Sequence, residues 1–383
     1  MKKICMITTV SITMQSFVVE TAKHLHETCG YDVTLICNED ADFAASLPPD
    51  IRFIPVPMAR GVDLSALRSI RCFYRIFKRE KFDMVQYATP NASCYASIAA
   101  RWCKVPIRLY CQWGIRYVGF GGLKRTLFKA LEKLVCRNST HVRAVSPQNR
   151  AFAVAEGLYP PEKAAVVGNG GTIGVDMTTY DMVQKEIWRQ TVRTQYGLQE
   201  NDLVFGFAGR VSADKGCAEL LAAFRALSKS EPRARLLIVG PMEENCGVPQ
   251  ELLAWAKASE RVVLTGKIDN RDMRLYYAAM DVLCHPTYRE GFGMVIQEAG
   301  ALGVPVITTA IPGASEVMED GVSCVLVPPK DADGLQAAME KLAADEERIA
   351  ALGQAAYART RERYERTVML ANQREDYRTL LEG

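Results

Sequence analysis

Two successive doubly wound α/β domains are predicted by three features of the sequence. Short β-branched runs alternate with helical stretches from the start, and the alternation begins again after the segment 168–181. The composition, 49% hydrophobic and 24% charged over 383 residues, is that of a globular chain long enough for two domains of ordinary size. The first series of runs falls at 3–10, 32–37, 83–87, 107–112, 142–145 and 164–167. The second falls at 203–208, 235–239, 262–265, 281–285, 304–308 and 324–327. From 331 onward the pattern is helical to the end, with 361–381 strongly charged and broken by apolar residues at helical spacing. The expected division is an N-terminal domain at 1–180 and a C-terminal domain at 181–364, with a last helix at 365–383 returning to the first.

Several function classes are disfavoured. No apolar run approaches the roughly 18 residues needed to cross a bilayer, and the start, Met1-Lys2-Lys3-Ile4, lacks the features of an export signal, so a cytoplasmic location is expected. The 12 cysteines are scattered without a C-x-x-C pair or a Cys/His cluster, which predicts reduced thiols and neither disulfides nor a metal site. Two sequons, at Asn91 and Asn138, are read as chance. After the first run come Thr8-Thr9-Val10-Ser11-Ile12, with no glycine before Gly30; the dinucleotide fingerprint is missing, which argues against a nicotinamide-dependent oxidoreductase. Two D-x-D triplets, at Asp40 and Asp331, are not expected to hold metal: the first sits in an acidic loop, and Asp331 follows Pro328-Pro329 as a helix cap.

The chemistry-bearing residues fall after runs of the second series. Glu290-Gly291-Phe292-Gly293 precedes a predicted helix that carries Glu298, and ligands of open α/β sheets bind beyond strand C-termini. Glycines let backbone approach a ligand, amides at a helix start hold anions, and the two carboxylates can accept from vicinal hydroxyls. A lone pair of glutamates at that spacing is more often a turn and a solvated helix face. Upstream, Gly209-Arg210 and Lys215-Gly216 flank a loop in which two cations could neutralise a diphosphate, although singly each would more often be a surface charge. Of the 4 histidines, His24 and His26 read as surface or packing residues; His285 ends a run of the second series and serves equally well as a site residue or a buried structural one.

Together, G-R-x-x-x-x-K-G at 209–216 and E-G-F-G-x-x-x-x-E-A-x-A-x-G-x-P-V at 290–306 resemble the donor site of family 4 glycosyltransferases with the GT-B fold. Val167-Gly168-Asn169-Gly170 with Gly174-Val175-Asp176 is similar to the interdomain segment of bacterial capsule, exopolysaccharide and lipid-linked-oligosaccharide members. The resemblance implies two Rossmann-like domains facing across a cleft, acceptor on the first and a nucleotide-sugar, UDP-linked in such members, on the second. It assigns Arg210 and Lys215 to the donor diphosphate, Glu290 to the transferred sugar, Glu298 to the ribose and Ile268 to the base. Gly209 and the main chain through Gly291, Phe292, Gly293, Met294 and Val295 line the same donor site. Arg210, Lys215 and Glu290 are the implied catalytic residues, in a retaining reaction that requires neither metal nor cofactor. Two departures touch the acceptor side: many relatives have a glycine pair where this chain has Thr8 to Ile12, and His-Gly where it has Trp113-Gly114. Trp113, Gly114 and Arg116 are the acceptor-side candidates, with Trp113 free to stack on a sugar or simply to fill core.

Charge separates the halves. Residues 1–180 hold 23 Lys and Arg against 14 Asp and Glu, within a net +3 for the chain. Leu64, Leu67, Ile70, Tyr74 and Phe77 form one apolar helical stripe beside Arg68, Arg71, Arg75 and Lys78. Leu123, Leu127, Leu131 and Leu134 form another beside Arg125, Lys129, Lys133 and Arg137. Ordinary core helices with solvated faces account for this pattern, and so does peripheral contact with anionic lipid or a lipid-diphosphate acceptor. Nucleic acid is not an expected partner, because no recognition motif is present. The functional expectation is a glycosyltransferase; the rival is a catalytically idle sugar-nucleotide-binding protein of the same fold.

Overall fold

The computed structural model describes residues 1–58, 65–243 and 246–383. The chain forms two compact units, Met1–Ile173 with Thr367–Gly383, and Gly174–Arg366. The junction thus lies a few residues before the 180/181 boundary expected from the sequence.

The first unit is built on strands β1 (Lys3–Ile7), β2 (Asp32–Cys37), β3 (Arg52–Pro55), β4 (Met84–Tyr87), β5 (Ile107–Gln112), β6 (His141–Ala144) and β7 (Ala164–Ala165). They pair in the order β3-β2-β1-β4-β5-β6-β7, parallel throughout. Most of β1, β2 and β4 is buried, as a parallel sheet covered on both faces requires. β3 carries no sequence signal of its own: Arg52-Phe53-Ile54-Pro55 is short, only half-buried and ends in proline, which an edge strand tolerates. β1 stops at Ile7 and not at Val10, because the next residues turn directly into the helix Ser11–Phe17.

One face of this sheet is covered by the helices Ser11–Phe17 and Val19–Cys29, with Ile4, Met6, Leu25, Val33 and Leu35 in the core between them. The last helix, Arg366–Glu382, adds Tyr377 and Leu381 to that same core. Polar ties fix it there: the Thr21 hydroxyl donates to Gln373 at 2.6 Å, the Tyr31 hydroxyl donates to Glu382 at 2.8 Å, and Arg143 grips Asp376 at 2.7 Å. The opposite face carries the helices Ser65–Glu80, Pro90–Trp102 and Gly122–Asn138, around Phe73, Phe77, Tyr95, Tyr110 and Val135.

Each basic helix buries only part of the apolar stripe read from its sequence. In Ser65–Glu80 the buried residues are Ser69, Ile70, Phe73 and Phe77, while Leu67 is 67% exposed and Tyr74 lies outside too; Leu64 lies outside the described residues. In Gly122–Asn138, Leu123, Leu127 and Leu134 are exposed, and burial falls on Val135, Cys136 and Asn138. Among the described residues no helix is long and apolar enough to cross a membrane.

The second unit repeats the plan with β8 (Leu203–Ala208), β9 (Ala234–Val239), β10 (Val262–Leu264), β11 (Val282–His285), β12 (Val306–Thr309) and β13 (Cys324–Val327), ordered β10-β9-β8-β11-β12-β13 and again parallel. At the N-terminal edge of β8 and β11 a buried arginine locks the pair. Arg193 meets Asp281 at 2.8 Å, Arg189 meets it at 2.7 Å, and the same carboxylate accepts from the Val204 amide at 2.7 Å. At the other edge, β8 and β11 are the strands from which the chain departs in opposite directions, the place where doubly wound sheets bind ligands.

Truncating Tyr377 to alanine should destabilise the protein by roughly 3–5 kcal/mol, the range for removing a large aromatic from a core. A urea titration reads this as a lowered midpoint; a wild-type midpoint would show that the last helix is not part of the first unit's core.

Candidate active site

The site grows from the C-terminal ends of β8 and β11. After Ala208 the chain passes Gly209 and Arg210, makes the short 3-10 turn Ala213–Lys215, and enters the helix Cys217–Ser230. Gly216 is required at that entry: its φ is +69°, and a Cβ there would sit 2.0 Å from the Pro286 carbonyl oxygen. This close approach sets Lys215 beside the loop that follows β11. That loop ends at Gly293, with φ +55°, which caps the helix Met294–Ala301.

Glu290 is the centre of the arrangement. Its Oε2 accepts from Lys215 Nζ at 2.9 Å and from His285 Nε2 at 3.1 Å, and its Oε1 from the Gly291 amide at 2.9 Å. Burial alone would raise its pKa, but the His285 hydrogen bond and the Lys215 charge hold the carboxyl well below its usual range. His285 is fully buried at the end of β11, and burial lowers its pKa in spite of Glu290. A neutral ring that donates from Nε2 leaves Nδ1 as an acceptor, and Nδ1 has no partner among the described residues.

Arg210 lies at the rim, about half exposed, ion-paired with Glu243 and 3.9 Å from Asp214. Asp214 also faces Arg289 at 3.3 Å and accepts from the Ser212 hydroxyl at 2.6 Å. The predicted cations are therefore both present at the strand ends, and each is matched by a carboxylate. Phe292 is buried with its ring edge-on to Tyr364 at 5.6 Å, so its side chain serves the core and only its main chain faces the loop. Met294 and Val295 stand in the first helical turn, whose amides lie outside the intrahelical ladder. Ile268 is half-buried beyond the end of β10, where the Gly240 amide donates to Gly266 at 3.0 Å.

Glu298 stands one turn into the same helix and belongs to a separate cluster. The Tyr277 hydroxyl donates to its Oε2 at 2.8 Å, and Tyr180 adds a second hydrogen bond. Burial pushes this carboxyl up to about 7, against the lowering effect of the two phenols. No spacing in the sequence marks Tyr180, Tyr277 or Glu243, because their partners lie far along the chain; the place of His285 at a strand end was the one visible sign among these supporting residues.

On the first unit the acceptor-side candidates part company. Trp113 is half-buried, its ring 5.5 Å from Phe17, in a small pocket shared with Gln86, Arg143, Gln373 and Tyr377. Gly114 is half-buried beside it. Arg116 lies in the 3-10 turn Arg116–Gly119, exposed, with its guanidinium 4.8 Å from the Phe128 ring. Where relatives carry a glycine pair, Thr9 is tied to Thr89 across the ends of β1 and β4, hydroxyl to hydroxyl at 2.8 Å. Asp331 caps the helix Ala332–Ala343 by accepting from Gly334 at 2.8 Å, and Asp40 caps Ala41–Ser46 through Phe43 at 3.0 Å. Among the described residues no three His, Cys, Asp or Glu side chains are grouped to hold a metal ion.

Two parallel sheets built on the order 3-2-1-4-5-6, the first extended by a seventh strand, with cations and glutamates gathered past the strand ends of the second, are the architecture of the GT-B glycosyltransferases. The chain belongs to that class by sequence as well: residues 189–359 match the family Glycosyl transferases group 1, and residues 13–170 match Glycosyl transferase 4-like domain. It is 28% identical to the capsular polysaccharide biosynthesis glycosyltransferase CapM of Staphylococcus aureus, over 85% of this chain and 84% of that one. It is 24% identical to the UDP-Gal:alpha-D-GlcNAc-diphosphoundecaprenol alpha-1,3-galactosyltransferase of Escherichia coli, over 82% of this chain and 81% of that one. Among solved structures, Anabaena Alr3699/HepE in complex with UDP and glucose superposes with a TM-score of 0.80 at 20% identity, over 99% of this chain and 100% of that one.

If a nucleotide ribose donates to Glu298, as the resemblance implies, the ionised carboxylate is the better acceptor. Affinity for UDP should then fall about tenfold as pH drops from 8 to 6, through the raised pKa. Glu298→Gln should flatten that profile in calorimetry; a wild-type profile already flat would separate Glu298 from the ribose.

Proposed function

We propose that this glycosyltransferase moves a hexosyl or N-acetylhexosaminyl group from a UDP-sugar to a saccharide carried on a lipid diphosphate, with retention and without a metal, in the assembly of a bacterial surface polysaccharide at the cytoplasmic face of the membrane. The observation that carries the reading is the cluster of Lys215, Glu290 and His285 at the end of β11, with Arg210 beside it. A donor diphosphate competes with Glu290 for Lys215 and with Glu243 for Arg210. Once it is seated, Glu290 turns from counter-ion to acceptor for hydroxyls of the sugar, and the His285 hydrogen bond limits where its carboxylate can go.

The chemistry then needs little else. As the bond from the anomeric carbon to the diphosphate breaks, negative charge grows on the leaving oxygen, and Lys215 and Arg210 stabilise it. The acceptor oxygen bonds to that carbon on the same face and passes its proton to a diphosphate oxygen. CapM and the galactosyltransferase, by their names, support the polysaccharide setting, and the galactosyltransferase supports a lipid-diphosphate acceptor.

Lys215→Ala and Arg210→Ala should each slow transfer by ~10² to 10³, the usual effect of removing one preorganised partner of the developing charge. Wild-type transfer should persist in EDTA, because the cations take the part a divalent ion plays elsewhere. Loss of activity on chelation that magnesium or manganese restores would reject the metal-free mechanism, and full activity in both variants would reject the site.

Membrane contact is the second element of the reading. Arg68, Arg71, Arg75 and Lys78 are exposed together with Leu67 and Tyr74 on one helix, and Leu123, Leu127 and Leu134 with Lys124, Lys133 and Arg137 on another. Each cation near an anionic surface contributes about 1 kcal/mol, screened over about 8–10 Å at ordinary salt. Replacing Arg68, Arg71, Arg75 and Lys78 by Ser should reduce sedimentation with phosphatidylglycerol vesicles at low salt. Failure of the unaltered protein to sediment would leave both helices as plain solvated faces.

A further inference from the structure

The first unit holds a cavity that the transfer chemistry does not use. It measures about 150 Å³ and lies among the helices Ser65–Glu80, Pro90–Trp102 and Gly122–Asn138. Its lining is mostly apolar, from Ile70, Tyr95, Tyr110, Phe128, Leu131 and Val135. An apolar cavity of this size takes up a six-carbon ring, so it has room for about one branched five-carbon unit.

One side of the cavity is different. Pro90, Asn91 and Ser93 bring to it the positive end of the helix Pro90–Trp102, where the Ala92 and Ser93 amides are already taken by Thr9 and Thr89, so that the helix contributes its dipole and the Ser93 side chain. The Ser93 hydroxyl is 1% exposed and has no hydrogen-bond partner among the described residues, which for a buried donor calls for a ligand to complete it. Arg116 lines the same cavity, its guanidinium over Phe128, and no carboxylate pairs with it among the described residues. Glu132, the acid at the wall, accepts from the Tyr110 hydroxyl at 2.9 Å and the Gln112 amide at 2.6 Å. Burial raises its pKa despite those bonds.

Outside, Leu67 and Leu127 follow or precede lining residues Ala66 and Phe128 in sequence and face water, as does Val118 just past Arg116. An apolar chamber with an anion-seeking side and water-facing aliphatic neighbours suits an amphiphile with a phosphate head. Its position decides which one. Pro90 and Arg116 follow β4 and β5, so this side of the cavity stands at the strand-end edge where a doubly wound sheet binds its substrate, which favours a substrate lipid over a bulk bilayer lipid.

We infer that this cavity seats the phosphate-proximal isoprene unit of a polyprenyl diphosphate acceptor, with the phosphate held by the Ser93 hydroxyl and Arg116. The inference rests on the lipid-linked acceptor proposed above. It makes Arg116 an acceptor-binding residue and leaves Trp113, in its separate pocket, outside this part of the site.

Calorimetry on the full chain with farnesyl phosphate tests it. Saturable binding is expected, weakened about tenfold or more by Arg116→Ala and by Ala66→Phe, which fills the cavity from the helix Ser65–Glu80, and largely restored in Arg116→Lys. Melting curves show whether each variant is folded, and Leu131→Phe fills the cavity from the helix Gly122–Asn138 if Ala66→Phe is not. No binding to the unaltered protein, or equal binding by the charge and cavity variants, overturns the assignment. Equal affinity for dodecyl phosphate moves it to an acyl chain, and equal affinity for inorganic phosphate removes the chain altogether. The lipid-linked reading has its own test: a saccharide without lipid that is used with the same KM as its farnesyl-diphosphate-linked form ends that reading, whatever farnesyl phosphate does.

Discussion

The carboxylate of Glu290 is the fixed point of the second unit's chemistry. A buried anion is costly unless its lone pairs are filled, and here an ammonium, an imidazole N–H and a backbone amide fill them together. Those three donors come from the loop after β8, the end of β11 and the loop beyond it. The ion pair between Lys215 and Glu290 therefore fastens the two loops on either side of the strand divergence. Gly216 allows the close backbone approach that makes this possible, and the Asp281 clasp at the opposite edge fixes the same two strands. On the proposed function, a diphosphate entering the site would replace one partner of Lys215 by another, so that the ammonium keeps an anionic partner throughout.

Glu298 shows the opposite solution to the same problem. It is surrounded by phenols without a cation, so burial raises its pKa into the neutral range. Two glutamates eight positions apart in one motif thus carry different charges near neutral pH, because their neighbours differ and not because their sequence setting does.

Much of this was legible in the sequence, and the reasons are local. Strand runs flanked by helical stretches reveal parallel sheets because β-branched residues buried on both faces leave few other readings, and the paired motifs stand where such sheets bind ligands. β3 was invisible because an edge strand of four residues needs neither a long apolar run nor an alternating one. The helix faces were misread for a related reason. Leucines at four-residue spacing describe a stripe whether it faces core or water, and only the neighbouring Phe73 and Val135 show which stripe the sheet covers. Supporting residues such as Tyr180, Tyr277 and Glu243 act across long sequence separations, which no local pattern encodes. The cavity beside Ser93 is likewise a product of three helices meeting, and each lining residue looks ordinary alone.

The last helix has a consequence for how the protein is made. Tyr377 and Leu381 complete a core whose other members were synthesised at the beginning of the chain. On the ribosome, the first unit emerges and then waits while all of Gly174–Arg366 is translated, roughly 10–40 s at roughly 5–20 residues per second. Through that interval the sheet face around Ile4, Met6 and Leu35 lacks part of its cover. The nascent chain thus carries an adhesive surface until the helix Arg366–Glu382 arrives, and a chain that ends at Arg366 has every residue of its second unit but a first unit with part of its core uncovered.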